Sequence, residues 1–154
     1  MAIRDTTYYG WNKIYEMSGY TFNSFTIDNS GSMYLLGIAD NTVPAVVLKS
    51  VAKNNYSQFA LASTVYTPFI LTNNDAYKIA HISGSLFLIG ETTSTNWSSD
   101  GNVRWITARS NDEAKTWSVV DSVFSGGSYS RPSDIACDAS RKRLRCRECP
   151  RFYF

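Results

Sequence analysis

The sequence predicts an all-β fold of short antiparallel strands that recur as four-stranded units. Apolar residues come in short runs rich in Val, Ile, Tyr and Phe, bounded by Gly, Asn, Asp and Ser, without a helical period. One eight-residue stretch also recurs 53 residues later with only conservative replacements. The 154 residues are 44% hydrophobic and 18% charged, which excludes a disordered, collagen-like or coiled-coil chain. The length suffices for a core of single-domain size.

Nine runs are predicted as strands, with turn residues between them. Asn29-Ser30-Gly31, Ser83-Gly84 and Asp100-Gly101-Asn102 are typical turn sequences. Runs of this length and spacing favour a meander in which each strand pairs with the next. The predicted strands are 24–28, 32–40, 45–51, 57–65, 76–82, 85–91, 103–110, 116–123 and 133–138.

The recurring stretch defines a repeat of four strands in about fifty residues. Residues 30–37 (SGSMYLLG) match residues 83–90 (SGSLFLIG) position by position. After each comes a strand ending in a base and a serine, and then a strand that opens near an aromatic residue. These landmarks are Lys49-Ser50 and Phe59 in the first unit, and Arg109-Ser110 and Trp117 in the second. The period is typical of a β-propeller blade, which buries its faces by stacking on neighbouring blades.

We therefore expect a partial β-propeller of two blades with flanking strands. Residues 1–22 would hold the last strand of a preceding blade, around GWNKIY at 10–15. The first blade would span 23–72, the second 73–132, and the first strand of a third 133–140. The expected partners are the remaining blades of an intact propeller.

The tail, residues 141–154 (RKRLRCRECPRFYF), departs from the repeat. It holds six of the 15 basic residues, leaving nine against 12 acidic ones elsewhere. When one base is dropped from an allowed back-translation starting at Arg141, the codons read Gly-Asn-Val-Tyr-Val-Ala-Gly, which is the strand that the repeat requires. We interpret the tail as a frameshift product, and we expect it to be disordered.

One hairpin carries a motif with a family resemblance. Residues 110–117 (SNDEAKTW) resemble the Asp box, S-x-D-x-G-x-T-W, of sialidase-like (BNR) β-propellers. Ser110, Asp112, Thr116 and Trp117 match, whereas Ala114 replaces the glycine. The resemblance implies that the Asp carboxylate accepts hydrogen bonds from the turn and that the Trp packs between sheets. In that family Asp boxes lie on the outer rim, away from the ligand face, so these four residues are expected to be structural.

A second stretch widens the resemblance to about residues 10–140. The strand from Asp28 to Gly37 (DNSGSMYLLG) resembles β-propeller repeats of large secreted bacterial proteins. It implies an extracellular or cell-surface location for the intact protein. The corresponding hairpin of the first unit, residues 50–59, lacks the Asp of the box.

A sialidase active site would need more than this fold. The family uses an arginine triad on the substrate carboxylate, a Tyr–Glu nucleophile pair and an Asp acid/base, and bidentate arginines suit a planar carboxylate. Glu91 and Asp121 have no assignable partner, and Arg131-Pro132 lacks the family's spacing. The arginines outside the tail are Arg4, Arg104, Arg109 and Arg131. We expect no catalytic residue in this chain.

Other binding signals are few. Trp97 lies in a predicted long hairpin and is a possible ligand contact. Cys146 and Cys149 form a CxxC without a second pair, and His81 lies in a strand pattern, so neither a metal nor a cofactor is expected. The basic tail predicts no specific nucleic-acid partner. No apolar run approaches a membrane span, and the start lacks the apolar core of a signal peptide.

The sequence thus favours a non-catalytic part of a secreted or surface β-propeller, serving as a scaffold or as a module that binds a glycan or a surface protein. Two alternatives stay open. One is a fragment of an exo-sialidase-like glycoside hydrolase, and the other is a piece of a phage tail or adhesin protein. Aromatic faces could stack on sugar rings, but most of the aromatic residues lie at strand positions where we expect them to fill the space between blades.

Overall fold

The computed structural model describes residues 16–39, 45–65, 75–93, 103–124, 134–137 and 144–146. These residues form ten strands and no helix, so the all-β prediction is confirmed. Strands 1 to 4 and strands 5 to 8 make two four-stranded antiparallel sheets, each in sequential order, and the last two strands form a hairpin. In the part of the chain that is described, no helix has the length and apolarity to cross a membrane.

Sheet 1 contains the first four strands and sheet 2 the next four. In sheet 1 these are β1 (Tyr20–Ile27), β2 (Met33–Ala39), β3 (Val46–Ala52) and β4 (Asn55–Thr64). In sheet 2 they are β5 (Asp75–Ile82), β6 (Ser85–Thr93), β7 (Val103–Ser110) and β8 (Ser118–Phe124). The hairpin consists of β9 (Ile135–Cys137) and β10 (Leu144–Cys146).

The two sheets are equivalent in register as well as in sequence. Gly37 and Gly90 each pair with the first strand of their sheet next to a shift in register. The pairing of the third strand with the fourth also contains a shift in register at the same position in both sheets. Lys49 pairs with Ala60 as Arg109 pairs with Ser118, so the two bases hold the same position. The sequence landmarks therefore mark equivalent points of the two sheets.

The core lies between the two sheets, and the two faces that form it are not equivalent. On sheet 1 it takes Tyr34, Leu36 and Val47, which define face A. On sheet 2 it takes Leu86, Leu88 and Ala108, which define face B. The register makes the last three equivalent to Met33, Leu35 and Leu48, on the opposite side of sheet 1. Face A of one sheet thus packs on face B of the next, a heterologous stacking that can repeat with further sheets.

The first strands of successive sheets lie side by side. Ser24 Oγ accepts a hydrogen bond from the Ile79 N–H at 3.2 Å, and Thr26 Oγ1 accepts one from the His81 N–H at 3.0 Å. These hydroxyls satisfy backbone donors on the edge strand β5 that have no ladder partner. Strand β9 also contacts β5. The predicted boundaries between the blades stay predictions.

The tail is not wholly without structure. Leu144–Cys146 pairs with β9, so the expectation of disorder does not hold for these three residues, and the rest of 141–154 lies outside the described residues. Cys137 pairs with Leu144, whereas the register of sheet 1, in which Ile27 pairs with Met33, would have placed residue 143 there. A slip of one residue exchanges the two faces of a strand.

Candidate structural site at the Asp-box turn

The turn between β7 and β8 is organised by one carboxylate. Asp112 Oδ1 accepts hydrogen bonds from the Ser110 hydroxyl at 2.7 Å and the Thr116 N–H at 2.9 Å. Its Oδ2 accepts one from the Thr116 hydroxyl at 2.6 Å. Ser110 Oγ in turn accepts the Ala114 N–H at 3.0 Å. The polar residues of the motif therefore bond to one another, which closes the turn without a helix or sheet ladder.

Ala114 adopts the backbone conformation for which the motif usually has glycine. Glu113 and Ala114 have φ values of 62° and 68°. This left-handed conformation costs a residue with a Cβ roughly 1–2 kcal/mol. Ala114 is fully buried and its methyl group belongs to the core between the sheets, so packing offsets part of that cost.

Two contacts fasten this turn to sheet 1. Trp117 packs against the core between the sheets, and its Nε1–H donates a hydrogen bond to Ser63 Oγ at 3.0 Å. Glu113 forms an ion pair with Lys49 of β3, with Nζ and Oε2 2.7 Å apart. Lys49 Nζ also lies 5.7 Å from the centre of the Tyr34 ring. Through these contacts the turn holds sheet 2 against sheet 1.

The two carboxyl groups of this turn, Asp112 and Glu113, are ionised at neutral pH. The Thr116 hydroxyl, the Thr116 N–H and the Ser110 hydroxyl lower the pKa of Asp112 to about 2. The hydrogen bond and the charge of Lys49 also lower the pKa of Glu113. A general acid must hold a proton near its working pH, so neither carboxyl suits acid catalysis. Their hydrogen-bonding pattern suits a structural role.

Sheet 1 has its own carboxylate turn, which the sequence reasoning missed. Asp28 Oδ1 accepts hydrogen bonds from the Ser30 N–H at 2.8 Å and the Ser32 N–H at 2.9 Å, and Oδ2 accepts the Tyr34 hydroxyl at 3.2 Å. Burial opposes ionisation of Asp28, but the hydrogen bond from the Ser30 hydroxyl at 2.7 Å, together with those from the two N–H groups and Tyr34, outweighs it and lowers the pKa of Asp28. Burial and the charge of Asp28 raise the pKa of Tyr34. The signal was present in the quoted DNSGSMY sequence, whose Asp and Tyr are hydrogen-bond partners.

Most of the other sequence candidates lie outside the described residues. Arg109 lies at the end of β7 beside the turn, as expected, and donates to Ser85 Oγ. Trp97, Arg4, Arg131 and Cys149 lie outside the described residues. Across the described ranges, no group of three or more His, Cys, Asp and Glu residues could hold a metal ion.

The described turns all lie at one edge of the stack. In a meander the connections alternate between the two ends of the strands. The β1–β2, β3–β4, β5–β6 and β7–β8 turns, including the Asp-box turn, share one edge. The connections at the opposite edge fall in 40–44, 66–74 and 94–102, outside the described residues. Trp97, the predicted ligand contact, falls in the sequence between β6 and β7, within 94–102.

Comparison with known proteins supports the fold and no finer family. No protein-family model and no curated protein sequence matches the chain. A solved structure that resembles it is the GH43 endo-arabinanase from Bacillus licheniformis, with a TM-score of 0.51 and 15% identity over 81% of this chain and 46% of that one. That protein is a five-bladed β-propeller, and this chain spans just under half of its length. The chain therefore has the fold of a partial β-propeller.

Proposed function

We propose that this chain is a non-catalytic, structural part of a secreted or cell-surface β-propeller, in which the Asp-box turn fastens one blade to the next. The observation that carries this is the packing of face A of sheet 1 on face B of sheet 2, two sheets of matching register. Trp117 and Glu113 of the box both contact sheet 1. A turn whose carboxylates are committed to such contacts serves assembly of the fold.

The open side of sheet 1 supports membership of a larger ring. Phe25, Ile27 and Leu61 are 63%, 43% and 59% exposed, next to a small apolar cluster built around Met33 and Leu35. The register makes this side equivalent to the side of sheet 2 that sheet 1 covers. Contiguous apolar surface of this kind marks an interaction site. A preceding blade would bury it.

We further propose that the ligand is recognised by the connections at the edge opposite the Asp box, with Trp97 as one contact. Scaffolds of rigid strands commonly carry their binding residues on such loops. A glycan or a surface protein is the ligand class that we infer, since a tryptophan in a predicted hairpin connection would offer a flat apolar surface for either.

A glycoside hydrolase is the second candidate, favoured by the structural likeness to an endo-arabinanase. In that case this chain would supply part of the scaffold, and the acid and base would come from elsewhere in the propeller. Turnover of fluorogenic arabinosides and sialosides by the 154-residue chain and by the uninterrupted gene product separates the two proposals. Turnover by the 154-residue chain would contradict the non-catalytic role.

The open-side argument has its own test in solution. We expect the purified chain to self-associate as its concentration rises, measured by light scattering after size exclusion. Leu61→Lys should reduce this association, because it places a charge on the open side of sheet 1. A monodisperse wild-type monomer that unfolds cooperatively would argue against the incomplete-ring interpretation.

A further inference from the structure

A pair formed by a cation and an aromatic ring occurs at the same place in both sheets. Lys49 pairs across the ladder with Tyr34, and Arg109 pairs with Phe87. The charged groups lie 5.7 and 5.8 Å from the respective ring centres. The register makes the two pairs equivalent, so the two cations can be compared through the groups that contact them on the side away from the ring.

The outer side of the first pair is occupied. Glu113, from the β7–β8 turn of sheet 2, bonds to Lys49 at 2.7 Å. This turn belongs to the sheet that covers face A of sheet 1. The ion pair is therefore part of the stacking contact between two successive sheets.

The outer side of the second pair has no such partner among the described residues. Arg109 is exposed, and no described carboxylate forms an ion pair with it. Its Nε and Nη2 donate to Ser85 Oγ at 3.1 and 2.9 Å, which orients the guanidinium group. Since a guanidinium has five N–H donors, donors remain for a carboxylate, and a group already oriented loses little entropy on binding.

We propose that Arg109 is the docking position for a carboxylate carried by the third-to-fourth-strand turn of a third blade, which packs its face B on face A of sheet 2. The inference deepens and rests on the proposed role as part of a propeller. Strand β9 contacts β5, as β5 contacts β1, which is the contact that a further unit following sheet 2 would make. Charge complementarity specifies the turn that this unit must carry.

A second copy of this chain fits the position less well. Its sheet 1 would present face B, but the β3–β4 turn of sheet 1 contains Lys53 and Asn54, with no carboxylate between Val51 and Ser57. A lysine brought towards Arg109 would be repelled. The occupant that the charges favour is thus a blade whose turn is acidic, as in the Asp box of sheet 2.

The test supplies the third blade within the chain. Residues 141–154 are replaced by a copy of residues 84–124, which continues the repeat after Ser140 and brings a second Asp box. We expect this extended chain to unfold at a higher urea concentration than the 154-residue chain. Arg109→Glu should lower the urea midpoint more in the extended chain than in the 154-residue chain. Changing the grafted copy of Glu113 to Lys should restore it.

The matched control is the contact already present, tested by Lys49→Glu, Glu113→Lys and the double variant. Its coupling should resemble that of Arg109 and should weaken at high salt in the same way. If the graft stabilises the chain but Arg109→Glu costs the same in both chains, the docking position is refuted while blade stacking survives. If every folded graft variant unfolds at the same urea concentration as the 154-residue chain, the propeller proposal fails as well.

A second measurement does not depend on the graft folding. The locus is sequenced downstream of codon 140 in the frame that restores the repeat. We expect Asp or Glu in the turn after the third strand of the third unit, at the place of Glu113. A neutral or basic turn there would overturn the proposal.

Discussion

The two sheets share a ladder but secure it with different turns. Sheet 1 closes its β1–β2 connection on Asp28, which also accepts the hydroxyl of Tyr34. At the equivalent positions sheet 2 has Ile82 and Phe87, and its two-residue turn, Ser83 and Gly84, has positive φ at both residues. The carboxylate and the hydroxyl are thus absent together. A polar group that is buried without its partner costs more than the pair contributes, so loss of one of the two without the other would be destabilising.

The β3–β4 and β7–β8 turns show the reverse preference. Sheet 2 has there the turn that resembles an Asp box, whereas sheet 1 makes a tight turn in which Asn54 has a φ of 55°. The Asn54 N–H donates to the Gly31 carbonyl oxygen at 2.9 Å, so this turn is hydrogen-bonded to another turn of its own sheet. The β7–β8 turn contacts the neighbouring sheet through Glu113 and Trp117. One turn is internal to its blade, and the other serves an interface.

The largest expected effect separates these two roles. Trp117→Ala should destabilise the chain by about 3 kcal/mol, because it removes an aromatic ring from the core between the sheets and leaves a cavity. Phe59→Ala, at the matching position of sheet 1, should cost less, since its ring packs in the small cluster on the open side. Urea unfolding monitored by far-UV circular dichroism measures both. Equal losses would mean that the interface role assigned to Trp117 is wrong.

The next effect is a difference in acid stability between the carboxylate turns. The folded-state pKa of Asp112, about 2, lies below its ordinary value of 3.8. Its stabilisation is therefore complete above about pH 4 and is lost as the pH falls towards 2. Asp112→Asn should lower the urea midpoint at pH 7 and flatten its decline between pH 4 and 2.

The control for this titration is Asp28→Asn in sheet 1. The pKa of Asp28 is also lowered, so this variant should change the same acid limb of the stability curve, with a weaker effect on the contact between the sheets. An Asp112→Asn chain whose stability falls as steeply as that of the wild type between pH 4 and 2 would show that another carboxylate dominates.

The sequence anticipated the strands because they repeat, and it missed the contacts that depend on stacking. The equivalence of Lys49 and Arg109 was visible in the repeat. The ion pair of Lys49 with Glu113 was not, because it joins residues 64 apart in sequence through the packing of two sheets. The role of Asp28 was missed because the motif was recognised as a strand signature without its hydrogen-bond acceptor being identified.

In the tail, residues 141–154, the structure shows strand pairing where the sequence departs from the repeat. Asp138 and the tyrosine of the restored reading frame are spaced like Asp28 and Tyr34, so that frame regains both partners of the hydrogen bond in sheet 1. The printed frame has Arg141 where Gly31 has a φ of 84°, a conformation that a side chain with a Cβ seldom adopts. The hairpin of β9 and β10 pairs one residue out of the register of the repeat. Strand propensity permits pairing there, while the turn chemistry that fixes the register is missing.

A smaller effect sharpens the comparison of the β1–β2 and β5–β6 connections. Tyr34→Phe gives sheet 1 the residue that sheet 2 has at Phe87, and it leaves the Asp28 carboxylate with one hydrogen bond fewer. We expect a loss of about 1 kcal/mol. Phe87→Tyr, the reverse exchange, should give no gain, because Ile82 offers no acceptor at the place of Asp28. A stabilising Phe87→Tyr would show that the hydroxyl contributes without its carboxylate.

The smallest expected change is at Ala114. Glycine would relieve the roughly 1–2 kcal/mol cost of the left-handed backbone. It would also remove a buried methyl group, worth about 0.8 kcal/mol, and add about 0.4–1 kcal/mol of unfolded-chain entropy. Ala114→Gly should therefore change the free energy of unfolding by less than about 1 kcal/mol, measured in urea. Ala114→Val should cost several times more, because a branched Cβ is poorly tolerated at a φ of 68°. A large gain with glycine would mean that the methyl group contributes nothing to the contact with sheet 1, and that the box is strained without compensation.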